Sequence, residues 1–426
     1  MNATMRLSCG VWLAAMLAGC TSAPSKPEAV AHMIQPQRVT EHRGHDDLLT
    51  AGLGLDGLRA MAAPAFADPA HPTAAELRRR AIWGNWRGIA DLSPTGGYGQ
   101  AYGSVASVPG REYSALAKVP GAAQPHRVLV QVPDHFDTRR RCIVVTASSG
   151  SRGIYGAIAV AAPWGLPKGC AVAYTDKGAG TDYFDLDEQQ GAREDGTVGA
   201  LGTDALAFAP DAPVGASGVA VKHAHSKDNP EADWGRHVKQ AAEFALAALD
   251  QAFPQAAPFR FDNTRVIAVG ISNGGGAVLR ASEEEGGWLD AVVAGEPNIY
   301  AADAPGARSL YDYTTEAALL MPCALLDLPA ETLPQPPLRA QVEPLWTARC
   351  ATLKAAGLVT GGDAKAQAAS ARAQLKANGW TDDALVAGAL SVGFDLWRAV
   401  AVTYASAYGR YGVGEHPCGF AFSAQN

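Results

Sequence analysis

The sequence predicts an α/β fold in which a parallel sheet is followed by a helical insert. Between residues 125 and 300, short apolar runs alternate with helical segments, the pattern of a parallel sheet with crossover helices. Thr264–Arg280, TRVIAVGISNGGGAVLR, combines a β-branched run, a glycine-rich turn and a helix start. After Asn298 the chain becomes rich in Ala and Leu with helical period, and no segment there is strand-like.

The composition is that of a chain able to bury a large core. Of its 426 residues, 48% are hydrophobic and 18% are charged, and this length allows more than one domain. The net charge of −7 argues against a nucleic-acid partner, because phosphate binding requires clustered Lys and Arg. We interpret the basic runs Arg78–Arg80 and Arg139–Arg141 as a solvated helix face and a strand edge.

The N-terminal residues predict export. Arg6 precedes an apolar run over Val11–Leu17, which is too short to span a bilayer permanently and is typical of a signal peptide, here residues 1–19. A polar tether is expected over residues 20–47, and the exported chain would lie outside the cell or at the outer membrane.

The run Leu17-Ala18-Gly19-Cys20 resembles a bacterial lipobox, which would make Cys20 the lipidated first residue of the mature protein. The alternative is an ordinary signal peptide that contains a cysteine. We favour lipidation, and we expect membrane contact only through this anchor.

Export places the cysteines in an oxidising compartment. Five remain beyond the N-terminal region: Cys142, Cys170, Cys323, Cys350 and Cys418. We expect Cys142 to pair with Cys170, at the heads of two predicted strands, and Cys323 with Cys350, which leaves Cys418 unpaired. No cysteine or histidine cluster has zinc spacing, so neither a metal nor a cofactor is predicted.

The main domain is expected over residues 48–300. Its lead-in, Leu48–Gly110, contains one helix-like segment, Ala74–Trp83, and should pack across the sheet. An amphipathic helix is predicted over Asp233–Phe253. Apolar runs predict five strands: Arg127–Val132, Cys142–Ala147, Val172–Thr175, Val266–Val269 and Leu289–Ala294.

The helical insert is expected over residues 301–426. Helical period is present in three segments: Leu345–Ala356, Ala364–Asn378 and Asp382–Tyr408.

Gly270-Ile271-Ser272-Asn273-Gly274 fits the G-x-S-x-G pattern of a nucleophile elbow. A serine hydroxyl becomes a good nucleophile when a strained turn exposes it near a base and backbone donors. The alternative is a tight strand-to-helix turn without chemistry. The strand before and the helix after favour Ser272 as a nucleophile. The elbow, and the insert that follows the next strand, predict an α/β-hydrolase-like sheet with a helical cap.

The oxyanion hole can be placed by the same logic. One donor is the backbone N–H of the residue after the nucleophile, Asn273, and the second comes from a loop after an earlier strand. The small residues that follow Ala147 suit such a loop, with Ser149 and Gly150 at its centre. The alternative is an ordinary strand-to-loop turn.

Four histidines could belong either to a functional site or to the structure alone. His223 and His225 could form a ligand pair on an extended segment, but we favour polar contacts in a loop that shapes the substrate entrance. His237 lies on the long helix and should be structural. His416, the one histidine after Ser272, could be the base, but we favour a surface-turn histidine.

Four runs of this sequence resemble the bacterial 3-hydroxybutyrate oligomer hydrolases: Thr175–Gly180, Lys222–Ser226, Asn229–Gly235 and Ser272–Gly276. The resemblance extends from about Pro125 to Phe420. It implies an exported α/β-hydrolase-like enzyme that cleaves ester bonds in short 3-hydroxybutyrate oligomers from polyhydroxybutyrate. It also implies that Ser272 is the nucleophile, acting on a small-molecule ester.

In α/β-hydrolases the triad acid and base follow the nucleophile on loops after the last strands. The resemblance implies that family members continue beyond Asn426, so we expect the last strands, the acid and the base to be missing here. Two other functions stay open: another exported carboxylesterase, for example one acting on aromatic esters, and an inactive truncated or ester-binding lipoprotein.

Overall fold

The computed structural model describes residues 33–34, 37–102, 105–333, 339–416 and 418–421. The predicted signal peptide and Cys20 lie outside the described residues.

The described residues form eleven strands, numbered in chain order: β1 (Arg38–His42), β2 (Gly110–Ala117), β3 (His126–Pro133), β4 (Cys142–Ala147), β5 (Ala171–Thr175), β6 (Tyr183–Asp185), β7 (Gln190–Ala192), β8 (Val198–Ala200), β9 (Val219–Val221), β10 (Arg265–Ile271) and β11 (Ala291–Gly295).

The same residues form eleven α-helices: α1 (Gly54–Arg59), α2 (Ala74–Arg87), α3 (Ile158–Gly165), α4 (Lys222–His225), α5 (Trp234–Ala252), α6 (Asn273–Ala281), α7 (Leu310–Ala324), α8 (Arg339–Ala355), α9 (Ala364–Ala377), α10 (Asp382–Gly393) and α11 (Leu396–Gly409).

The main sheet is mixed rather than parallel. Its order is β1-β2-β3-β5-β4-β10-β11. The four strands from β5 to β11 run parallel, whereas β1, β2 and β3 run antiparallel to their neighbours. The prediction of a parallel sheet is therefore correct for one half only. Antiparallel strands β2 and β3 are joined by a short connection, which needs no crossover helix.

The five predicted strands are all present as β3, β4, β5, β10 and β11, and the long predicted helix is α5. β1 and β2 were not predicted. β1, with the sequence RVTEH, is an edge strand with mostly exposed residues, and it lies within the stretch predicted to be a tether. That part of the tether prediction is wrong, because pairing with β2 gives residues 38–42 a fixed place in the sheet.

The two faces of the sheet bury separate cores. In β4, Ile143 and Val145 face α5 and α6, whereas Val144 faces α1, α2 and α3. Alternation along a strand directs successive side chains to opposite faces, and a strand covered on both faces is apolar throughout. The Cys142–Cys170 disulfide links the starts of β4 and β5, as predicted.

A second, small sheet was not predicted. Its strands have three residues each, in the order β8-β7-β6-β9. Phe184 and Phe208 are the largest side chains of its own small core. Strands of three residues are too short to show the alternation of apolar and polar residues by which a strand is predicted.

Residues 310–409, α7 to α11, are called the helical region below. This region buries a core of its own around Met321, Trp346 and Leu375, and the predicted Cys323–Cys350 disulfide links α7 to α8. The helix predicted over Asp382–Tyr408 is broken into α10 and α11, where Asp395 adopts a left-handed backbone with φ of 56°. Cys418 is free, as predicted.

No single described helix is long and apolar enough to cross a membrane. The α10–α11 pair meets the length and composition criteria jointly, but it is bent by 82°.

Candidate active site

Ser272 stands at the turn between β10 and α6 in a rare backbone conformation. Its φ is 55° and its ψ is −124°, and a non-glycine residue at positive φ persists only where its surroundings enforce it. The surroundings here are three backbone hydrogen bonds of 3.0 Å. Ser272 N–H donates to the carbonyl of Gly295, and the Ser272 carbonyl accepts from the N–H groups of Gly276 and Asn298. The side chain is left exposed.

Two glycines make this turn possible. A Cβ on Gly270 would lie 2.3 Å from the carbonyl oxygen of Gly274, and a Cβ on Gly274 would lie 2.5 Å from the carbonyl oxygen of Ala147. Neither backbone oxygen can move away without breaking the turn or the strand. The second contact also places the elbow directly against the end of β4, where the predicted oxyanion loop begins.

That loop, residues 148–153, carries a row of backbone donors. Ser148 N–H donates to the carbonyl of Thr175 at 3.0 Å. Among the described residues, none of the N–H groups of residues 149 to 153 has a hydrogen-bond acceptor. Ser149 and Gly150, the predicted oxyanion residues, lie in this row, and Gly150 has a φ of 60°. Asn273 N–H belongs to the first turn of α6, where helical N–H groups have no intrahelical partner.

Lys177 holds the loop of residues 148–153 through hydrogen bonds from the protein interior. Its side chain is fully buried, and its ammonium donates to the carbonyl of Gly150 and to Ser148 Oγ, the latter at 3.3 Å. The ammonium also lies 5.4 Å from the ring centre of Trp234. Burial lowers the pKa of Lys177 to about 8, against the opposing influence of Glu231 and Asp176. The sequence offered no signal for this role beyond the presence of Lys177 in one of the four runs.

His223 is held between a serine and a carboxylate. Its Nδ1 lies 2.6 Å from Ser151 Oγ, and its Nε2 lies 2.8 Å from Glu231 Oε1. His225, by contrast, contacts the backbone of Val221 through its Nδ1. The two rings have different partners because they lie on a helix, α4, and not on an extended segment. The ligand-pair alternative depended on an extended segment and is therefore wrong.

Tyr404 of α11 links the helical region to the elbow. Its hydroxyl accepts a hydrogen bond from Asn273 Nδ2 at 2.8 Å, and its ring centre lies 5.0 Å from that of His223. Burial raises the pKa of Tyr404 to about 12, so the phenol is neutral at physiological pH. Tyr404 lies 131 positions from Asn273, and no local sequence pattern indicates the contact.

The remaining histidines do not contact the elbow. His237 is buried and its ring packs at 4.6 Å from that of His126, which agrees with a structural role. Burial and nearby cations lower the pKa of His237 well below its usual value. His416 lies near the rings of Tyr411 and Phe420, in a turn that follows α11. In the described residues, no side chain is hydrogen-bonded to Ser272 Oγ.

Buried charges fix the loops around the elbow. Lys222 has no exposed side-chain surface, and its ammonium lies 3.4 Å from Asp182 and 3.7 Å from Asp176. Asp182 also pairs with Arg127 of β3. Asp176 accepts the N–H groups of Arg127 and Gly178. The loop after β5 and the start of α4 are thus attached to the same strand, next to residues 148–153.

A cavity of about 670 Å³ lies on another side of the same loop. Arg152 and Gly153 line it together with residues of β1 and α2, whereas Ser272 does not. Among the described residues, no group of three or more His, Cys, Asp or Glu side chains could hold a metal ion.

Together these features define a mixed α/β protein with an exposed serine on a strand-to-helix turn, beside a loop with free N–H groups. A family model for 3HB-oligomer hydrolase (3HBOH) matches residues 14–426. The chain belongs to this family.

Curated relatives agree with this assignment. The D-(-)-3-hydroxybutyrate oligomer hydrolase of Burkholderia vietnamiensis is 43% identical over 437 residues, and that of Burkholderia cenocepacia is 42% identical over 444 residues. Each match covers 91% of this chain and 62% of the relative. The same-named protein of Burkholderia ambifaria is 40% identical, with 98% and 67% covered. The chain therefore spans slightly less than two thirds of the length of the first two relatives.

A solved esterase structure from Aspergillus oryzae has 12% sequence identity and a TM-score of 0.28, covering 72% of this chain and 64% of that one. A likeness this low carries no argument about the fold.

Proposed function

We propose that this chain carries the nucleophile of a serine esterase that hydrolyses ester bonds in 3-hydroxybutyrate oligomers. The observation that carries the proposal is the backbone of Ser272, with φ of 55° between β10 and α6. A strand, a serine in a strained conformation and a helix form the nucleophile elbow of an α/β-hydrolase. The names of the relatives supply the substrate class.

The chemistry is acyl transfer. Ser272 Oγ attacks the ester carbonyl carbon and gives its proton to a base, and the oxygen of the carbonyl becomes an oxyanion. The N–H groups of Asn273, Ser149 and Gly150 receive this charge, since donors already in place stabilise it without reorganisation. The alcohol end of the next hydroxybutyrate unit leaves with a proton, and water then releases the acyl group from Ser272.

The helical region acts as the cap of this site. Support comes from Tyr404, whose hydroxyl holds the side chain of Asn273, the residue that also offers an oxyanion N–H. A tyrosine fixed in this way limits how Asn273 can move and covers one side of the elbow. The ester substrate would enter between α11, the helix that carries Tyr404, and residues 148–153.

Export and lipidation at Cys20 belong to the same proposal, with an outer-membrane or extracellular location. They are supported by the apolar run that ends in Leu17-Ala18-Gly19-Cys20. Metabolic labelling with a palmitate analogue should be lost in Cys20→Ala. A label that survives this substitution rules out Cys20 as the anchor.

The esterase proposal is tested by hydrolysis of the 3-hydroxybutyrate dimer. Ser272→Ala should reduce turnover to the level left by the oxyanion hole and binding: a loss on the order of 10⁶-fold where acid and base complete the triad, and a much smaller loss in this chain, where both are expected to be missing and turnover starts low. Ser282→Ala, at an exposed serine just after the same helix, is the matched control and should leave turnover unchanged. Equal rates for the two variants would reject Ser272 as the nucleophile.

A further inference from the structure

We propose that Ser151 is a second acylatable serine, activated by His223 and Glu231, and that it accepts acyl groups from carboxylic esters. The hydroxyl, the imidazole and the carboxylate form a continuous hydrogen-bonded chain of 2.6 Å and 2.8 Å. A nucleophile within hydrogen-bond reach of a base, itself oriented by a third group, is the arrangement that activates serine in hydrolases. Nothing in the Ser272 chemistry uses these three side chains.

The hydrogen bonds fix the tautomer of His223. A carboxylate only accepts hydrogen bonds, so Nε2 carries the ring proton and donates it in a hydrogen bond to Glu231 Oε1. With the ring proton on Nε2, the lone pair lies on Nδ1, and Ser151 Oγ donates to it. This hydrogen bond increases the electron density on the serine oxygen. Ser151 is an exposed residue, whereas His223 is buried, with 2% of its side chain accessible.

The surroundings hold His223 rigidly. The ring of Tyr404 packs against the imidazole at 5.0 Å. The second oxygen of Glu231, Oε2, is buried without a hydrogen-bond partner among the described residues. An orphaned carboxylate oxygen is costly to bury, and Lys177, the nearby buried cation, partly compensates for it. Because burying this oxygen lowers stability, we expect the Ser151–His223–Glu231 chain of hydrogen bonds to have a role besides loop packing.

The acylation step balances without any further reactant. A bond forms between Ser151 Oγ and the ester carbonyl carbon, while the serine proton moves to His223 Nδ1. The bond from that carbon to the alkoxy oxygen breaks, and the alcohol leaves with the proton from Nδ1. Water then hydrolyses the acyl-serine by the same route. The N–H groups of Arg152 and Gly153, which follow Ser151 and have no acceptor among the described residues, can receive the oxyanion.

The ester class of acyl donor rests on the proposed function, but activation of Ser151 does not. The test therefore uses a fluorophosphonate probe, which reacts with activated serines irrespective of substrate. The full chain carrying Ser272→Ala is incubated with the probe, reduced, digested with trypsin and mapped by fragmentation. Trypsin separates the two sites, since Ser151 lies in residues 142–152 and Ser272 in residues 266–280.

We expect an adduct on Ser151 in the Ser272→Ala protein. Adding His223→Gln should slow this labelling by at least about 100-fold, because a general base contributes on the order of 10² to 10⁴. Adding His225→Gln instead, at the neighbouring histidine of α4, should not slow it. A near-ultraviolet circular dichroism spectrum of each variant verifies folding.

Three results would overturn the proposal: no adduct in residues 142–152 of the folded Ser272→Ala protein, an adduct on Ser148 or Ser149 in place of Ser151, or labelling that survives His223→Gln. Should His223→Gln fail to fold, Ser151→Ala decides, since an adduct on residues 142–152 that persists in it excludes Ser151. Failure of the esterase proposal alone has a different signature, which is the absence of an adduct on residues 266–280 of the unmodified chain.

Discussion

Gly274 is the residue through which the Ser272 turn touches the neighbouring strand. A Cβ at this position would lie 2.5 Å from the carbonyl oxygen of Ala147, at the end of β4. Because that oxygen belongs to a strand in the middle of the sheet, the turn must give way. We expect Gly274→Ala to lower the free energy of unfolding by roughly 1–3 kcal/mol and to reduce labelling of Ser272, as measured by denaturant unfolding and probe reaction.

Gly84→Ala provides the comparison. Gly84 lies within α2 at an ordinary helical φ, and a Cβ there meets nothing within 4 Å. Alanine is the better helix former, so this variant should be more stable by about 0.5–1 kcal/mol. Equal effects of the two substitutions would contradict the close contact at Gly274.

Lys177 makes stability depend on pH in a definite direction. Its pKa is lowered from 10.5 to about 8 by burial, so the folded protein loses this proton before the unfolded chain does. Between pH 8 and pH 10.5 the unfolded state binds more protons, and stability must rise with pH. Relative to Lys177→Met, the free energy of unfolding should increase by about 1.4 kcal/mol per pH unit in this window.

Below pH 8 the lysine is charged in both the folded and the unfolded state. The difference in free energy of unfolding between the parent protein and Lys177→Met should therefore be constant there. Urea unfolding at a series of pH values measures it. A difference that stays flat from pH 8 to pH 10.5 would show that the Lys177 ammonium is not desolvated beneath the loop.

Among the elements, the Cys323–Cys350 disulfide is the covalent link between α7 and α8. Both cysteines are fully buried in the core of the helical region, and the link closes a loop with a sequence separation of 27 residues. A loop of this size is typically worth about 2–4 kcal/mol. Replacing both cysteines with alanine should lower the melting temperature of the helical region in calorimetry.

Cys418→Ala, at the free and exposed cysteine, should melt like the parent. An unchanged melting curve for the double Cys323/Cys350 variant would mean that packing around Met321 and Trp346 alone determines the stability of this region.

The elements also show where sequence reasoning succeeds. β4 could be predicted to the residue because both of its faces are buried, which requires the unbroken apolar run Cys142–Ala147. β1 could not, because an edge strand with exposed side chains needs only backbone pairing. The break between α10 and α11 was missed, since Asp395 takes a left-handed backbone that its local sequence does not demand.

For the candidate site, the turn at Ser272 was predictable because its glycines, strand and helix are adjacent in sequence. The role of His223 was not, because it depends on whether residues 222–225 form a strand or a helix. That choice is made by tertiary contacts: Lys222 is buried between Asp176 and Asp182. Tyr404 reaches Asn273 across 131 residues, a distance over which no local pattern carries information.

In the whole molecule, the four runs that resemble the oligomer hydrolases come together near the carboxyl ends of the inner strands β4, β5 and β10. Lys177 supports the loop that holds Ser148 and Gly150, His223 binds Ser151, and Glu231 orients His223. Asn273, after Ser272, is linked to the helical region through Tyr404. Residues far apart in the chain are thus joined by contacts that run from Ser151 through His223 and Tyr404 to Asn273, the residue after Ser272.

The reactivity of Ser272 is measured by fluorophosphonate labelling of the full chain, followed by mapping of the tryptic peptide 266–280. We expect one covalent adduct on this peptide, at Ser272, which Ser272→Ala abolishes and Ser282→Ala does not. A folded chain that gives no adduct on residues 266–280, or one that keeps it in Ser272→Ala, would contradict this expectation.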